Sequence, residues 1–153
     1  MSMRLRVGVI GLMGIVGCGG GDAFDIATTP LSGKVGGQAW TVATTETNAF
    51  LSASSDTFFA QAYPETFAAC SGADSGMTGN RVILNVPKVM GSFSLSFGFT
   101  QTFFIQTSHL NFAATRGRMV VDEITPTMIR GGTHFEVDPD NFVNGQFQIP
   151  ICP

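Results

Sequence analysis

The chain has 153 residues, enough for one domain with a real core and too few for two large ones. Only 12% of residues are charged and 44% are hydrophobic, which excludes a disordered chain; 14 phenylalanines among frequent Thr, Ser and Gly favour strands over helices. The formal charge is −3, and from Cys18 onward six basic residues (Lys34, Arg81, Lys88, Arg116, Arg118, Arg130) stand against eleven acidic ones, a net −5 that argues against a nucleic-acid partner and against a basic membrane-binding face.

Arg4 and Arg6 make the start of the chain positive, and Val7–Val16 is an uncharged apolar run of ten residues. A bilayer-spanning helix needs about 20 such residues. Ten suits the apolar core of a signal peptide. Ile15-Val16-Gly17-Cys18 then resembles the lipobox of bacterial lipoproteins: an aliphatic residue, a tolerant position, a small residue, and the cysteine that receives diacylglycerol. The family prefers Leu at the first position, and Ile15 departs from that. The resemblance covers residues 1–18. It implies a signal peptide over 1–17, a lipid on Cys18, a membrane reached through that lipid, and a place in the cell envelope. In Gram-negative lipoproteins an Asp directly after the cysteine favours inner-membrane retention. Gly19 stands there, so the resemblance implies the outer membrane for a Gram-negative source.

Arg6–Gly14 also looks like the first strand and turn of a nucleotide-binding Rossmann unit. Met13 occupies a position where close phosphate approach requires glycine, and Cys18-Gly19-Gly20-Gly21 continues a helix poorly. No dinucleotide cofactor is expected. Three cysteines in an exported chain need explaining. If lipid takes Cys18, Cys70 and Cys152 remain, and an oxidising compartment makes a disulfide between them reasonable; the alternative is two buried free thiols. Residues 18–30 read as a flexible glycine-rich tether, in which the spacing of Phe24 and Ile26 decides nothing.

Beyond the tether, strands are expected at Leu31–Val35, Gln38–Thr44, Ala49–Ala53 and Thr57–Ala62. Pro64–Ala69 suggests one helical turn, and Ser71–Asn80 a polar glycine-rich loop. Arg81–Val86 alternates with Val82, Leu84 and Val86 inward, and Pro87 marks a strand end or an edge. Ser92–Phe99 shows the strictest alternation, with Phe93, Leu95, Phe97 and Phe99 on one face. Phe103–Ile105 suggests a further strand. Arg118–Thr125 and Thr127–Val137 follow, the latter with Ile129, Thr133, Phe135 and Val137 on one face and Met128, Arg130, His134 and Glu136 on the other. Gly131-Gly132 suggests a bulge or close backbone approach. Asp138–Asn141 reads as a hairpin loop, Asn144-Gly145 as a turn pair, and Gln146–Ile151 as the last strand.

Many short strands with hairpin signals predict an all-β antiparallel sandwich over residues 31–153, with a small β-barrel as the alternative. Gly117–Ile124, Arg130–Phe135 and Val143–Phe147 look like the tail of uncharacterised small bacterial lipoproteins, and Ser32–Trp40 suits the same group. That resemblance implies a β domain and no particular chemistry.

The search for chemistry yields little. His109 and His134 are the only histidines, and neither stands in a metal-ligand spacing. His134 shares a strand face with Arg130 and Glu136, a pattern open to acid–base work. Asp138, Asp140 and Asn141 offer oxygens, but Pro139 and the spacing make a poor calcium cage. Asp122 and Glu123 are neighbours, so strand alternation sends them to opposite faces. No Gly-x-Ser-x-Gly, Ser-x-x-Lys or Cys-x-x-Cys is present. No catalytic residue, metal site or cofactor is therefore expected. The chain reads as a lipid-anchored envelope protein with a non-enzymatic structural or binding domain, whose partner is another envelope protein or a small apolar ligand. The alternatives are a lipocalin-like carrier and an envelope hydrolase with an unrecognised site.

Overall fold

Alternating apolar side chains give each strand one dry face and one wet face, and two such sheets bury their dry faces together. The computed structural model describes residues 24–53, 55–73, 78–108 and 110–153. The lipobox, Cys18 and His109 lie outside them. In chain order the elements are β1 (Ser32–Val35), β2 (Gln38–Thr41), β3 (Thr44–Thr47), α1 (Ala49–Ala53), β4 (Thr57–Tyr63), β5 (Arg81–Pro87), β6 (Gly91–Ser94), β7 (Thr102–Ile105), β8 (Asn111–Ala113), β9 (Arg116–Ile124), β10 (Met128–Asp138) and β11 (Asn141–Pro150). One sheet runs β2-β1-β11-β10-β9-β6 and the other β3-β4-β5-β7-β8, every neighbour antiparallel. The fold is an all-β sandwich, and neither sheet closes into a barrel.

The core follows the alternation. From the five-stranded sheet come Ala60, Ala62, Val82, Leu84, Val86 and Phe104; from the six-stranded sheet come Trp40, Met119, Ile129, Phe135, Phe147 and Ile149. The Trp40 indole N–H is not wasted in this apolar layer, because it donates to the Asn80 carbonyl at 3.0 Å. The sheets meet at a corner where β3 adjoins the end of β11. There the Thr45 hydroxyl donates to the Gln148 carbonyl, and the Cys152 N–H donates to Thr47 Oγ1 at 2.8 Å. The Cys70–Cys152 disulfide closes the same corner, joining the segment after β4 to the chain end across 82 residues. Glu46 beside it is only 4% exposed, and its carboxylate accepts the Cys70 N–H at 2.6 Å. These three side chains are grouped tightly enough to hold an ion, but the bridge occupies both sulfurs.

Several elements depart from the sequence expectation. Ala49–Ala53 is a helix rather than a strand. Asn48 caps it: its side-chain oxygen accepts the Leu51 N–H at 2.9 Å, and its carbonyl accepts the Ser52 N–H. Pro64–Ala69 makes no helical turn. Instead the Phe67 N–H donates to Thr44 Oγ1 and its ring packs edge-on against Tyr63, which lays the segment along β3. The Ser92–Phe99 strand stops at Ser94. Thr100 ends it, its hydroxyl donating to the Ser94 carbonyl at 2.6 Å while accepting the Ser96 N–H at 2.7 Å. A turn follows through Gly98 at φ +81°, and Phe97 is left 89% exposed. Asn144-Gly145 is not a turn but the middle of β11; the chain reverses through Pro139 and Asp140.

Candidate functional site

The outer face of the six-stranded sheet gathers most of the polar side chains that the sequence singled out. In register across it lie Asn144, His134, Arg118 and Ser94, and one row away Gln146, Gly132, Val120 and Ser92. Residues 24–30, which the sequence assigned to the tether, run over this face as a strap. The Asn144 amide holds it from both ends, donating to the Asp25 carbonyl at 3.1 Å and accepting the Ala27 N–H at 2.8 Å. Gln146 Nε2 donates to the Ala27 carbonyl at 2.8 Å, and the Gln146 main chain pairs with Thr29 and Leu31. Phe24 packs edge-on against the His134 ring, centroids 5.0 Å apart.

Two glycines make room for the strap. A Cβ on Gly132 would lie 2.6 Å from Ile26 Cγ2, and one on Gly145 would lie 2.6 Å from the Thr29 carbonyl oxygen. Gly131-Gly132 thus marks close approach, as expected, and a bulge adjoins it. Arg130 pairs with Glu123 and Gly131 with Val121, so Asp122 is the extra residue in β9. The bulge corrects the expectation for the adjacent carboxylates. Glu123 pairs with outward-facing Arg130 while Asp122 lines a depression on the same outer face.

The proposed acid–base trio does not assemble. His134 Nδ1 meets the Asp25 carbonyl at 3.1 Å, and its Nε2 lies 3.9 Å from the Glu136 carboxylate. Glu136 is itself paired with Arg116. Arg130 sits four residues along the strand, roughly 13 Å away at strand rise, and is engaged by Glu123. The side-chain oxygens of Asp138 and Asn141 are likewise spent on structure. Asp138 Oδ1 accepts the Asp140 N–H, while Asn141 Oδ1 accepts the Gly36 N–H at 2.9 Å and Gln106 Nε2 at 3.1 Å. Asn141 therefore ties the β10–β11 hairpin to the β1–β2 turn and to the end of β7.

Beside the strap the face carries two open depressions, of about 240 and 480 Å³, that share Arg118. The second is lined by Phe24, Leu95, Arg116 and Ser94 among others. Both lie outside the sandwich, so they are not the interior cavity that a carrier would need.

No family model, curated protein or solved structure matches this chain. The sequence pattern missed the strap because its anchors are ordinary polar residues. One signal was there: Gly132 and Gly145 stand inside strand-like segments, and in the β10–β11 register they face Gln146 and Thr133, so the two positions without a side chain are diagonal neighbours under the strap.

Asn144→Ala removes two of the strap's hydrogen bonds. At about 0.5–1.5 kcal/mol each, exchange of the Ala27 amide should accelerate roughly 5–150-fold with little change in core amides. Unchanged Ala27 protection would mean that Asn144 does not hold the strap.

Proposed function

We propose that this protein is a lipid-anchored lipoprotein of the cell envelope, whose β-sandwich is a non-enzymatic structural or binding domain. The observation that carries the reading is Ile15-Val16-Gly17-Cys18 after a positive start and a ten-residue apolar run. The cysteine pattern supports it. One cysteine stands at the lipobox and the other two form a disulfide, a bond that persists in oxidising compartments. The site geometry supports the non-enzymatic half: His134 and Glu136 serve the strap and an ion pair, and Arg130 stands apart.

The anchor is tested with Cys18→Ala. The expected outcome is complete loss of fatty-acyl labelling, with the precursor left unprocessed at that position. Labelling equal to the unsubstituted protein would defeat the proposal.

A further inference from the structure

We infer that the edge of the six-stranded sheet around Phe24, Leu95 and Phe97 lies against the bilayer, with the Phe97 ring inserted among the lipid headgroups and upper acyl chains. The inference rests on the lipid-anchor reading and adds an orientation to it.

Reach supplies the first argument. The strap fixes the chain to the sheet from Phe24 onward. Six residue steps separate Phe24 from Cys18, and a fully extended chain covers about 3.3–3.6 Å per residue, so Phe24 stays within about 20 Å of the lipidated cysteine. The other sheet packs behind this one, about 10 Å deeper before side chains are added. The strap-bound face is thus the near side of the domain.

Surface chemistry supplies the second. Phe24 and Leu95 line one depression, and Phe97 stands two residues beyond Leu95 on the turn that Thr100 ties off. Phe97 and Phe50 are the two most exposed large hydrophobic side chains among the described residues, at 89% and 86%; Phe50 stands on α1 beside β4 of the other sheet, so reach singles out Phe97. An exposed apolar ring on the side of the domain nearest a lipidated terminus is stabilised by entering the interface. Arg116 and Arg118 floor the same depression, the Arg116 side chain 64% exposed even though it is paired with Glu136. They sit where lipid phosphates would meet them. Because Asp25 and Asp122 are close by and the domain is acidic overall, the contact depends on apolar insertion rather than on net attraction.

The test uses lipidated full-length protein carrying Phe97→Trp or, as the far-side control, Leu110→Trp, in vesicles of phosphatidylethanolamine and phosphatidylglycerol with brominated acyl chains. Trp40, buried in the core, gives a constant background measured on the unsubstituted chain. Flotation with the vesicles reads the anchor. Quenching reads the face: the expected result is a blue-shifted, strongly quenched tryptophan at 97 and an unquenched one at 110. A protein that floats with neither position quenched, or with 110 quenched instead, overturns the orientation and leaves the anchor standing. A protein that does not float overturns both. If Phe97→Trp fails to fold, hydrogen exchange of residues 95–99 in the unsubstituted chain decides: several-fold slower exchange on vesicles than in the Cys18→Ala protein supports insertion, and equal exchange overturns it.

Discussion

Cys70→Ser should cost this domain more than almost any other single change outside its core. The bridge closes a loop of 82 residues. In the chain-entropy picture, losing it releases about 4–5 kcal/mol of constraint on the unfolded chain, an upper figure because native strain subtracts from it. For a domain of this size that corresponds to a fall in Tm of roughly 10–15 °C. Serine keeps the backbone N–H that Glu46 accepts, so the measurement reports the cross-link and not a stranded carboxylate. Cys152→Ser and the double variant should fall to the same Tm. A drop of only a degree or two by calorimetry, or unequal drops for the two single variants, would show that the bridge is not the constraint described.

Phe135→Ala and Phe97→Ala form the second prediction, read as a pair. Phe135 is fully buried between the sheets. Its truncation removes a large apolar side chain and leaves a cavity, at a cost of about 3–5 kcal/mol in denaturant unfolding. Phe97 is 89% exposed, and its truncation should change stability by no more than about 0.5 kcal/mol. Comparable losses at the two positions would contradict the burial pattern.

That contrast also shows where the sequence is legible. Val82, Leu84 and Val86 obey strict alternation and are buried in β5, with Pro87 ending a strand that is central rather than at an edge. The long β9 and β10 strands and the second half of β11 are readable for the same reason, as is the hairpin at Asp138–Asn141. Ser92–Phe99 has the cleanest alternation of all, yet only its first half pairs. Periodicity records which face would be apolar, not whether a partner strand is present. Here one hydroxyl, that of Thr100, captures the backbone polar groups that a longer ladder would have used. Ala49–Ala53 was misread because five apolar and small residues carry no period long enough to separate helix from strand. The Asn48 cap was the better signal. Asn144-Gly145 has turn chemistry but spends it on the strap: the amide binds a neighbouring backbone, and the missing side chain lets that backbone approach. The Cys70–Cys152 bridge was legible by counting cysteines, whereas its corner with Glu46 and Thr47 was not, since β3 has no apolar alternation to announce it.

The strand order holds a consequence for how the molecule is made. β11 is last in the chain, yet it lies between β1 and β10 in the middle of its sheet. The β1–β2 hairpin, built from the first strands, has no neighbour to pair with until Asn141–Pro150 arrives. The strap has no seat before then, because Asn144 and Gln146 are part of that strand, and the disulfide awaits Cys152 beyond it. Folding by piecemeal addition from the N-terminus is closed to this topology. The last ten-residue strand acts as a keystone, and the sheet completes in one late, long-range step of the slow kind that non-local pairing imposes.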